Sequence, residues 1–305
     1  MSLAASMPSP DLRPLNRREI ETRLSRCPRP PSLARINESL RDLLQADQSG
    51  TDQISAVIRR DPSLTARMLR LVNSVYYGLD TPVNNIEEAV FFLGVRQIRQ
   101  LATATPIIED LQRLAGDTPF PWREFWQHCI GTALLTREVL SGVRAPNDET
   151  DYVSGLVHDM GKIVMAAGFP EYFVEVCRRT SESPLAMADV EREVLGISHD
   201  ELGGLYLEHH HLPSLLVESA KFHHSPELAR DHQITVAAVQ VADTLIRHAK
   251  IGYSGNSQVV ENDQWEKTAG WQILFASKDE LTLNLTRASL NRAVARLPEL
   301  LEGLV

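Results

Sequence analysis

The stretch GLVHDMGKIVMA at residues 155–166 places a histidine and an aspartate inside an otherwise apolar run. Lys162 follows His158 by four residues and Asp159 by three, so one continuous helix would carry all three on one face. The remaining residues of the run are apolar, which is typical of a helix that is buried on all sides. We therefore expect His158 and Asp159 to be interior side chains of a buried helix.

A buried carboxylate is costly unless it is protonated, paired or bound to a cation. The stretch ITVAAVQVADTLI at residues 234–246 carries a second carboxylate, Asp243, on its apolar stripe. Three other predicted helices carry histidines on their apolar stripes, namely His128, His199, and the pair His223 and His224. We expect these side chains to converge on one interior point and to bind a divalent metal there.

Imidazole and carboxylate ligands together suit a borderline or hard divalent ion, which leaves Fe, Mn, Ni, Co or Zn as candidates. One or two ions could bind, and two ions that share a carboxylate can activate a water between them. A metal-free network of hydrogen bonds between histidines and aspartates is the alternative. The cysteines Cys27, Cys129 and Cys177 form no CxxC pair, which excludes a cysteine-type zinc site.

Composition excludes two classes of partner. No apolar run approaches the ~18–20 residues that cross a bilayer, and the first residues lack the apolar segment of a signal peptide. We therefore expect a cytoplasmic protein with no membrane partner. The net charge of −9 makes non-specific nucleic-acid binding a poor hypothesis, because that affinity comes from basic residues. The oligomeric state is left open.

Helical spacing runs through nearly the whole chain and predicts an all-α, multi-helix bundle of two packed subdomains. The segments TDQISAVIRR (51–60) and DPSLTARMLRLVNSVYYG (61–78) each predict a helix, the second beginning at Pro62. Turn-rich breaks occur at 115–121 and 253–257. We expect a disordered or extended N-terminus (1–14), a first helical subdomain (15–115), a second (122–250), and a helical extension that packs back (258–305).

The other histidines are predicted to lie outside the site. His209, His210 and His211 come at a helix end just before a proline, where basic side chains suit the helix C-terminus. His232 lies near a predicted helix start and His248 near a helix end.

The order of His128, His158–Asp159 and Asp243 resembles the H…HD…D signature of the HD superfamily of metal-dependent phosphohydrolases. With His199 and His223–His224, the set is similar to the longer one of the HD-GYP branch, which binds two or three metals and hydrolyses cyclic di-GMP. Five stretches together resemble the HDOD family over about residues 15–250: DPSLTARMLRLVNSVYYG, NNIEEAVFFLGVRQIRQL, FWQHCIGTALLTREVL, SGLVHDMGKIV and YLEHHHLPSLLVESAKFHH.

The resemblance implies an all-α bundle that is HD-like in its second half and acts as an output module of bacterial signalling, without established catalysis. It places His128, His158, Asp159 and Asp243 around one metal, and His199, His223 and His224 around a second that Asp159 bridges. Lys162 would lie near a bound phosphate and is the catalytic candidate if the protein is an enzyme.

The chain departs from the HD-GYP branch after the histidine pair, where HHSPELARD (223–231) replaces the Gly-Tyr-Pro loop. We therefore expect the loop that would shape the substrate side to be missing, since the Gly-Tyr of IGYSG (251–255) comes after Asp243 and is not its equivalent. We also expect Lys162 to be the only basic side chain near the cluster. This favours a non-catalytic signalling module over the alternative, a metal-dependent phosphohydrolase acting on a nucleotide or cyclic dinucleotide.

We expect no fused sensor in 305 residues, and therefore expect the input from a signalling partner supplied by another chain. All basic residues before residue 121 are arginines, and this N-terminal half could dock onto an acidic protein. An open cleft over His158–Asp159 would favour hydrolysis, whereas one filled by apolar side chains would favour signalling.

Overall fold

The computed structural model describes residues 12–28, 83–85, 88–89, 110–145, 149–256, 258, 260–261 and 264–302. These residues form helices, turns and loops and no strand, which confirms the predicted all-α class. The helices predicted at 51–60 and 61–78 lie outside the described residues, as does most of the expected first subdomain.

The described residues form a succession of helices joined by short connections. The α-helices are α1 (Arg17–Leu24), α2 (Trp122–Gly142), α3 (Glu149–Val157), α4 (Met160–Gly168), α5 (Pro170–Glu182), α6 (Met187–Val194), α7 (His199–His209), α8 (Ser214–Phe222), α9 (Gln233–His248), α10 (Ala269–Phe275) and α11 (Glu280–Glu302). Residues 110–115 are helical too, and Pro226–Leu228 and Gln264–Lys267 form 3-10 turns. Asn16 and Ser198 begin α1 and α7 as N-caps, each in a capping box with the glutamate three residues later.

The long helix α2 lies at the centre of the bundle. It packs against α9 and α3, while α11 lies along another of its faces. Phe125, Trp126, Leu135 and Val139 of α2 are fully buried, in agreement with contacts on several sides. The interior that positions the candidate ligands is therefore built mainly from α2, α3 and α9, with α4 packed on α7 and α7 on α8.

Two glycines allow the helices that carry the candidate ligands to approach closely. A Cβ added to Gly155 of α3 would lie 2.6 Å from the Cα of Ala133 in α2. A Cβ added to Gly161 of α4 would overlap the backbone carbonyl of His199 in α7. Because a side chain at either place would push two backbones apart, these glycines set the distances between the segments that carry the ligands.

The structure differs from the sequence-based expectation at His158–Asp159, which lie between two helices. Helix α3 ends at Val157 and α4 begins at Met160, with the backbone of Asp159 at φ −92° and ψ 17°. The expectation of one continuous helix is wrong. The residues on both sides of the two-residue turn are apolar, so the apolar pattern gives no sign that the helix is interrupted there. The carboxylate of Asp159 makes no capping bond to α4, which leaves its two oxygens for other partners.

Within the described part of the chain, none of the helices combines the length and apolar character needed to cross a lipid bilayer. The cytoplasmic location stays a prediction.

Candidate metal centre

The structure brings all seven predicted ligand residues to one region of the second half. They come from five segments: His128 from α2, His158 and Asp159 from the turn before α4, His199 from the start of α7, His223 and His224 from the end of α8, and Asp243 from α9. Six of the seven are buried, and His224 is exposed. Convergence of these residues, the central expectation from the sequence, is therefore present in the fold.

A first group surrounds the Nε2 atoms of His128 and His158, which lie 3.3 Å apart. Oδ2 of Asp159 lies 3.6 Å from the first of these nitrogens and 3.5 Å from the second. Oδ1 of Asp243 lies 3.2 Å from His128 Nε2 and 3.9 Å from His158 Nε2. Two imidazole nitrogens and two carboxylate oxygens thus face a common point.

A second group lies on the other side of Asp159. Nε2 of His199 and Nε2 of His224 are 3.1 Å apart. Oδ1 of Asp159 lies 3.3 Å from His199 Nε2 and 3.7 Å from His223 Nε2. The three histidines can offer nitrogens within 4.8 Å of one another, the compactness that a shared ion requires.

Asp159 divides its carboxylate between the two groups, with Oδ2 facing the first and Oδ1 the second. Oδ1 of Asp159 and Nε2 of His223 are buried and make no hydrogen bond to any described residue. Unpartnered buried polar atoms are costly, and a cation between them would remove that cost. The donor set therefore fits divalent metal, with the carboxylate of Asp159 facing both groups.

Backbone carbonyls orient two of the imidazoles. Nδ1 of His158 donates to the carbonyl oxygen of Gly155 at 2.7 Å, and Nδ1 of His223 donates to that of Ala220 at 2.9 Å. When Nδ1 carries the proton, Nε2 is the free lone pair, and in both rings Nε2 faces the cluster.

Glu191 of α6 orients a third imidazole and was not found from the sequence. Its Oε2 accepts from Nδ1 of His199 at 2.6 Å and from the backbone N–H of the same residue at 2.7 Å. The carboxylate is fully buried. The signal was available, because Glu191 shares the apolar face of its helix with Met187, Val190 and Val194.

Burial holds two of the ligand histidines in the neutral form that binds metal. It lowers the pKa of His158 to about 3 and also lowers the pKa of His223, in both cases against an opposing effect of Asp159. These imidazoles need not lose a proton before binding an ion at pH 7.

At His199 and Asp159, the charges of neighbouring side chains have a larger effect on the pKa than burial has. Burial alone would lower the pKa of His199, but Glu191 and Asp159 outweigh it and raise that pKa to about 9. Burial alone would raise the pKa of Asp159, but Lys162 and His158 outweigh it and hold that pKa well below its usual value. Asp159 is therefore an ionised carboxylate in the interior, the form in which it can bridge ions.

Two basic side chains contact the aspartates of the cluster. Nζ of the buried Lys162 donates to Oδ2 of Asp159 at 2.6 Å, so its charge is already paired. Nη1 of Arg247 lies 3.8 Å from Oδ2 of Asp243. The expectation that Lys162 is the only basic side chain near the cluster is wrong. The signal was available, because Arg247 follows Asp243 by four residues on a predicted helix.

A cleft of about 290 Å³ leads to the cluster and is lined by Asp159, His199, His224 and Asp243. Its other walls are mostly polar and include Arg192, Arg247, Ser225, Ser254, Asn256 and Gln258. The last three follow α9, so a loop after Asp243 shapes the ligand side of the site. This segment is not the Gly-Tyr-Pro loop, which the sequence lacks after the histidine pair, so the cleft is lined here by a different part of the chain.

The remaining histidines have contacts of their own. Nε2 of His232 lies 2.9 Å from Oγ of Ser214, and Nδ1 of His248 donates to the carbonyl of Val260 at 2.9 Å. His209 and His211 are exposed at the end of α7. None of these four lines the cleft.

A sequence profile of the HDOD domain matches residues 31–226. An uncharacterized protein from Treponema pallidum (strain Nichols) is 24% identical over 233 residues, which are 75% of this chain and 44% of that protein. The chain therefore spans less than half the length of this relative.

Solved structures share the fold. An HDOD domain protein of unknown function from Geobacter sulfurreducens is 24% identical, with 92% of this chain and 99% of the other covered and a TM-score of 0.72. A Shewanella amazonensis SB2B protein described as a phosphohydrolase is 22% identical, with coverages of 94% and 98% and a TM-score of 0.66. At these identities the similarity concerns the fold alone.

Proposed function

The chain belongs to the HDOD family, and on that basis we propose that it is an output module of bacterial signal transduction whose His/Asp cluster binds divalent metal. The module would bind one or two ions and would carry out no turnover. Its input would come from another chain, for which the arginine-rich N-terminal half is the proposed docking face.

One observation carries the metal-binding part of the proposal, namely the position of Asp159 between two groups of imidazoles. Each of its oxygens lies within 3.3–3.7 Å of two histidine nitrogens, a spacing that suits ligands of a shared ion. Nitrogen and oxygen donors together favour Fe, Mn, Ni, Co or Zn over Mg or Ca.

A metal at this place would couple the packing of several helices. The candidate ligands are contributed by α2, α7, α8 and α9 and by the turn before α4, so bound ions would fix these elements relative to one another. A change in occupancy would shift the equilibrium between arrangements of the bundle, provided that the ion binds one arrangement more tightly. A partner chain that recognises one arrangement would then receive the signal.

The contacts of Lys162 support a role without turnover. Phosphoryl transfer needs cationic groups directed at the transferring group, and the ammonium of Lys162 is bound to Asp159 instead.

The second candidate function is a metal-dependent phosphohydrolase acting on a nucleotide or cyclic dinucleotide. The cleft favours it, because the cleft reaches Asp159 and Asp243 and brings the guanidinium of Arg247 close to them. In that case, metal would supply an activated water, and the residues of the cleft would bind and orient the substrate.

The test is metal analysis of the purified full chain combined with turnover assays on p-nitrophenyl phosphate, bis(p-nitrophenyl) phosphate and cyclic di-GMP. We expect one to two equivalents of a transition metal, its loss in Asp159→Ala, and no hydrolysis above that of the variant. Absence of metal in the wild-type protein, after reconstitution as well as on purification, overturns the metal-binding module. Turnover that disappears in Asp159→Ala together with the metal establishes the second candidate instead.

A further inference from the structure

We infer that the cleft binds a small phosphate monoester and that Arg247 contacts its phosphoryl group. The inference rests on the proposed metal centre, and it adds a ligand class and a binding residue to it.

Arg247 is the first observation. Its side chain is largely buried, and its Nη1 is 3.8 Å from Oδ2 of Asp243, farther than a hydrogen bond reaches. Its Nε is buried and donates to none of the described residues. A buried guanidinium donor without an acceptor costs free energy, and an anion in the cleft would satisfy it. The planar fork of arginine matches the oxygens of a phosphoryl group.

The lysine and the other arginine of the cleft are already engaged. Lys162 is paired with Asp159, and Arg192 donates to Ser198 at 3.1 Å and to Asp189 at 3.4 Å. Arg247 is thus the cleft cation, among the described residues, with an unused buried donor. Divalent ions at the cluster would add further positive charge to the same cleft, so an anionic group is the ligand chemistry that it favours.

The loop after α9 lines the cleft with the uncharged polar residues Ser254, Asn256 and Gln258. Gln258 donates to the carbonyl of Pro184 at 2.9 Å, and the backbone N–H of Asn256 donates to Ser254. Gly255, at φ +90°, lies against Met187, where a side chain would meet the methionine sulfur. These contacts tie the loop to the connection before α6, so that its polar side chains can receive the uncharged part of a ligand.

The size of the cleft restricts the ligand further. Ligand pockets typically measure ~300–1,000 Å³, and about 290 Å³ is at the lower end of this range. A phosphate monoester with one sugar or one nucleoside fits such a volume better than a cyclic dinucleotide, which is roughly twice the size of a nucleoside monophosphate. The geometry therefore favours a monoester over the cyclic dinucleotide of the HD-GYP branch.

The test uses the metal-loaded full chain and calorimetric titration with inorganic phosphate, adenosine 5′-monophosphate and cyclic di-GMP. We expect inorganic phosphate and the monophosphate to bind, and cyclic di-GMP to bind at least about tenfold more weakly than the monophosphate. Arg247→Gln is expected to weaken both phosphate ligands by about tenfold or more, since it removes a charge-assisted contact. Arg247→Lys keeps a charge near Asp243 but removes the fork, and should weaken them less while the metal content stays that of the wild type.

Arg192→Gln is the matched control, because Arg192 lines the same cleft but its guanidinium already has partners. We expect less than about a threefold change in the affinity for either phosphate ligand. Equal effects of Arg192→Gln and Arg247→Gln, an unchanged affinity in Arg247→Gln, or loss of metal in Arg247→Lys overturn the assigned contact. Tighter binding of cyclic di-GMP than of the monophosphate overturns the ligand class.

The outcomes separate this inference from the function on which it rests. A protein that binds metal but no phosphate ligand contradicts the inference and leaves the metal-binding module standing. A protein that binds no metal contradicts both.

Discussion

Oε2 of Glu191 lies 2.6 Å from Nδ1 of His199, and neither residue is exposed by more than 2%. A carboxylate behind a ligand histidine fixes the ring orientation and makes the opposite nitrogen a stronger donor to metal. Oδ1 of Asp159 lies 3.3 Å from that opposite nitrogen, so the carboxylates of α6 and of the turn before α4 face the imidazole from its two sides.

Replacing Glu191 by glutamine is expected to weaken metal binding at the second group by about 10–100-fold, because the amide keeps a hydrogen-bond acceptor but loses the charge. The first group, around His128 and His158, should keep its affinity. Calorimetric titration of the metal-free protein measures both. Glu193→Gln, on the exposed side of the same helix, is the control, and equal affinities in the two variants would remove the proposed role of Glu191.

Gly161→Ala is expected to destabilise the protein by about 3 kcal/mol, because the new methyl group overlaps the carbonyl of His199 and neither backbone can move independently of its helix. The same displacement separates His199 from Asp159, so metal at the second group should be lost at the metal concentration that saturates the wild type. Chemical denaturation and metal analysis check the two effects. A variant with wild-type stability would show that α4 and α7 are farther apart than described.

Lys162→Met is expected to destabilise the metal-free protein by about 3 kcal/mol or more, because it leaves the carboxylate of Asp159 buried without its nearest cation. Bound metal replaces that cation, so the loss should be smaller in the metal-loaded protein. Denaturation with and without a chelator measures both losses. Equal losses in the two forms would contradict the assignment of Asp159 as a metal ligand.

Glu175 of α5 gives a pH-dependent prediction outside the site. The guanidinium of Arg178 lowers the pKa of Glu175 to about 2 from an ordinary value of 4.5. Arg179 lowers this pKa further, and burial of the carboxyl group acts against both. A depressed carboxyl pKa stabilises the fold above the unfolded-state value, and this contribution is lost as the pH falls from about 4.5 through 2. Glu175→Gln should therefore lower the free energy of unfolding by about 1–2 kcal/mol from pH 7 down to about pH 5, and by progressively less as the pH falls from about 4.5 through 2.

The control for Glu175 is Glu182→Gln, because Glu182 also contacts Arg178 but its side chain is 63% exposed. It should have a smaller effect at pH 7. A difference between Glu175→Gln and wild type that stays constant from pH 7 to pH 2 would contradict the ion pairs described for α5.

The all-α class and the convergence of the ligands could be predicted from the sequence because both follow from burial. Asp243 and His199 lie on apolar stripes, and an interior carboxylate needs a partner. This reasoning identifies which residues face inward without giving the distances between them. The family resemblance implied that Asp159 is shared between two groups, and the distances that show it depend on the close contact of α4 and α7 at Gly161.

Other features of the site could not be predicted from the sequence pattern, for physical reasons. A two-residue turn at His158–Asp159 leaves the apolar pattern intact on both sides. The loop that reaches Gln258 forms a wall of the cleft through contacts with Pro184, more than seventy residues away in the chain. By contrast, Arg247 could have been found from its spacing after Asp243.

The most direct test of the central claim is a crystal structure of the metal-reconstituted protein with anomalous scattering recorded at the absorption edge of the bound metal. The account predicts one or two peaks beside Asp159, each ~2.0–2.2 Å from two imidazole nitrogens, either Nε2 of His128 and His158 or Nε2 of His199 and His223. A map without a peak beside Asp159, in crystals that contain the metal, would contradict the account.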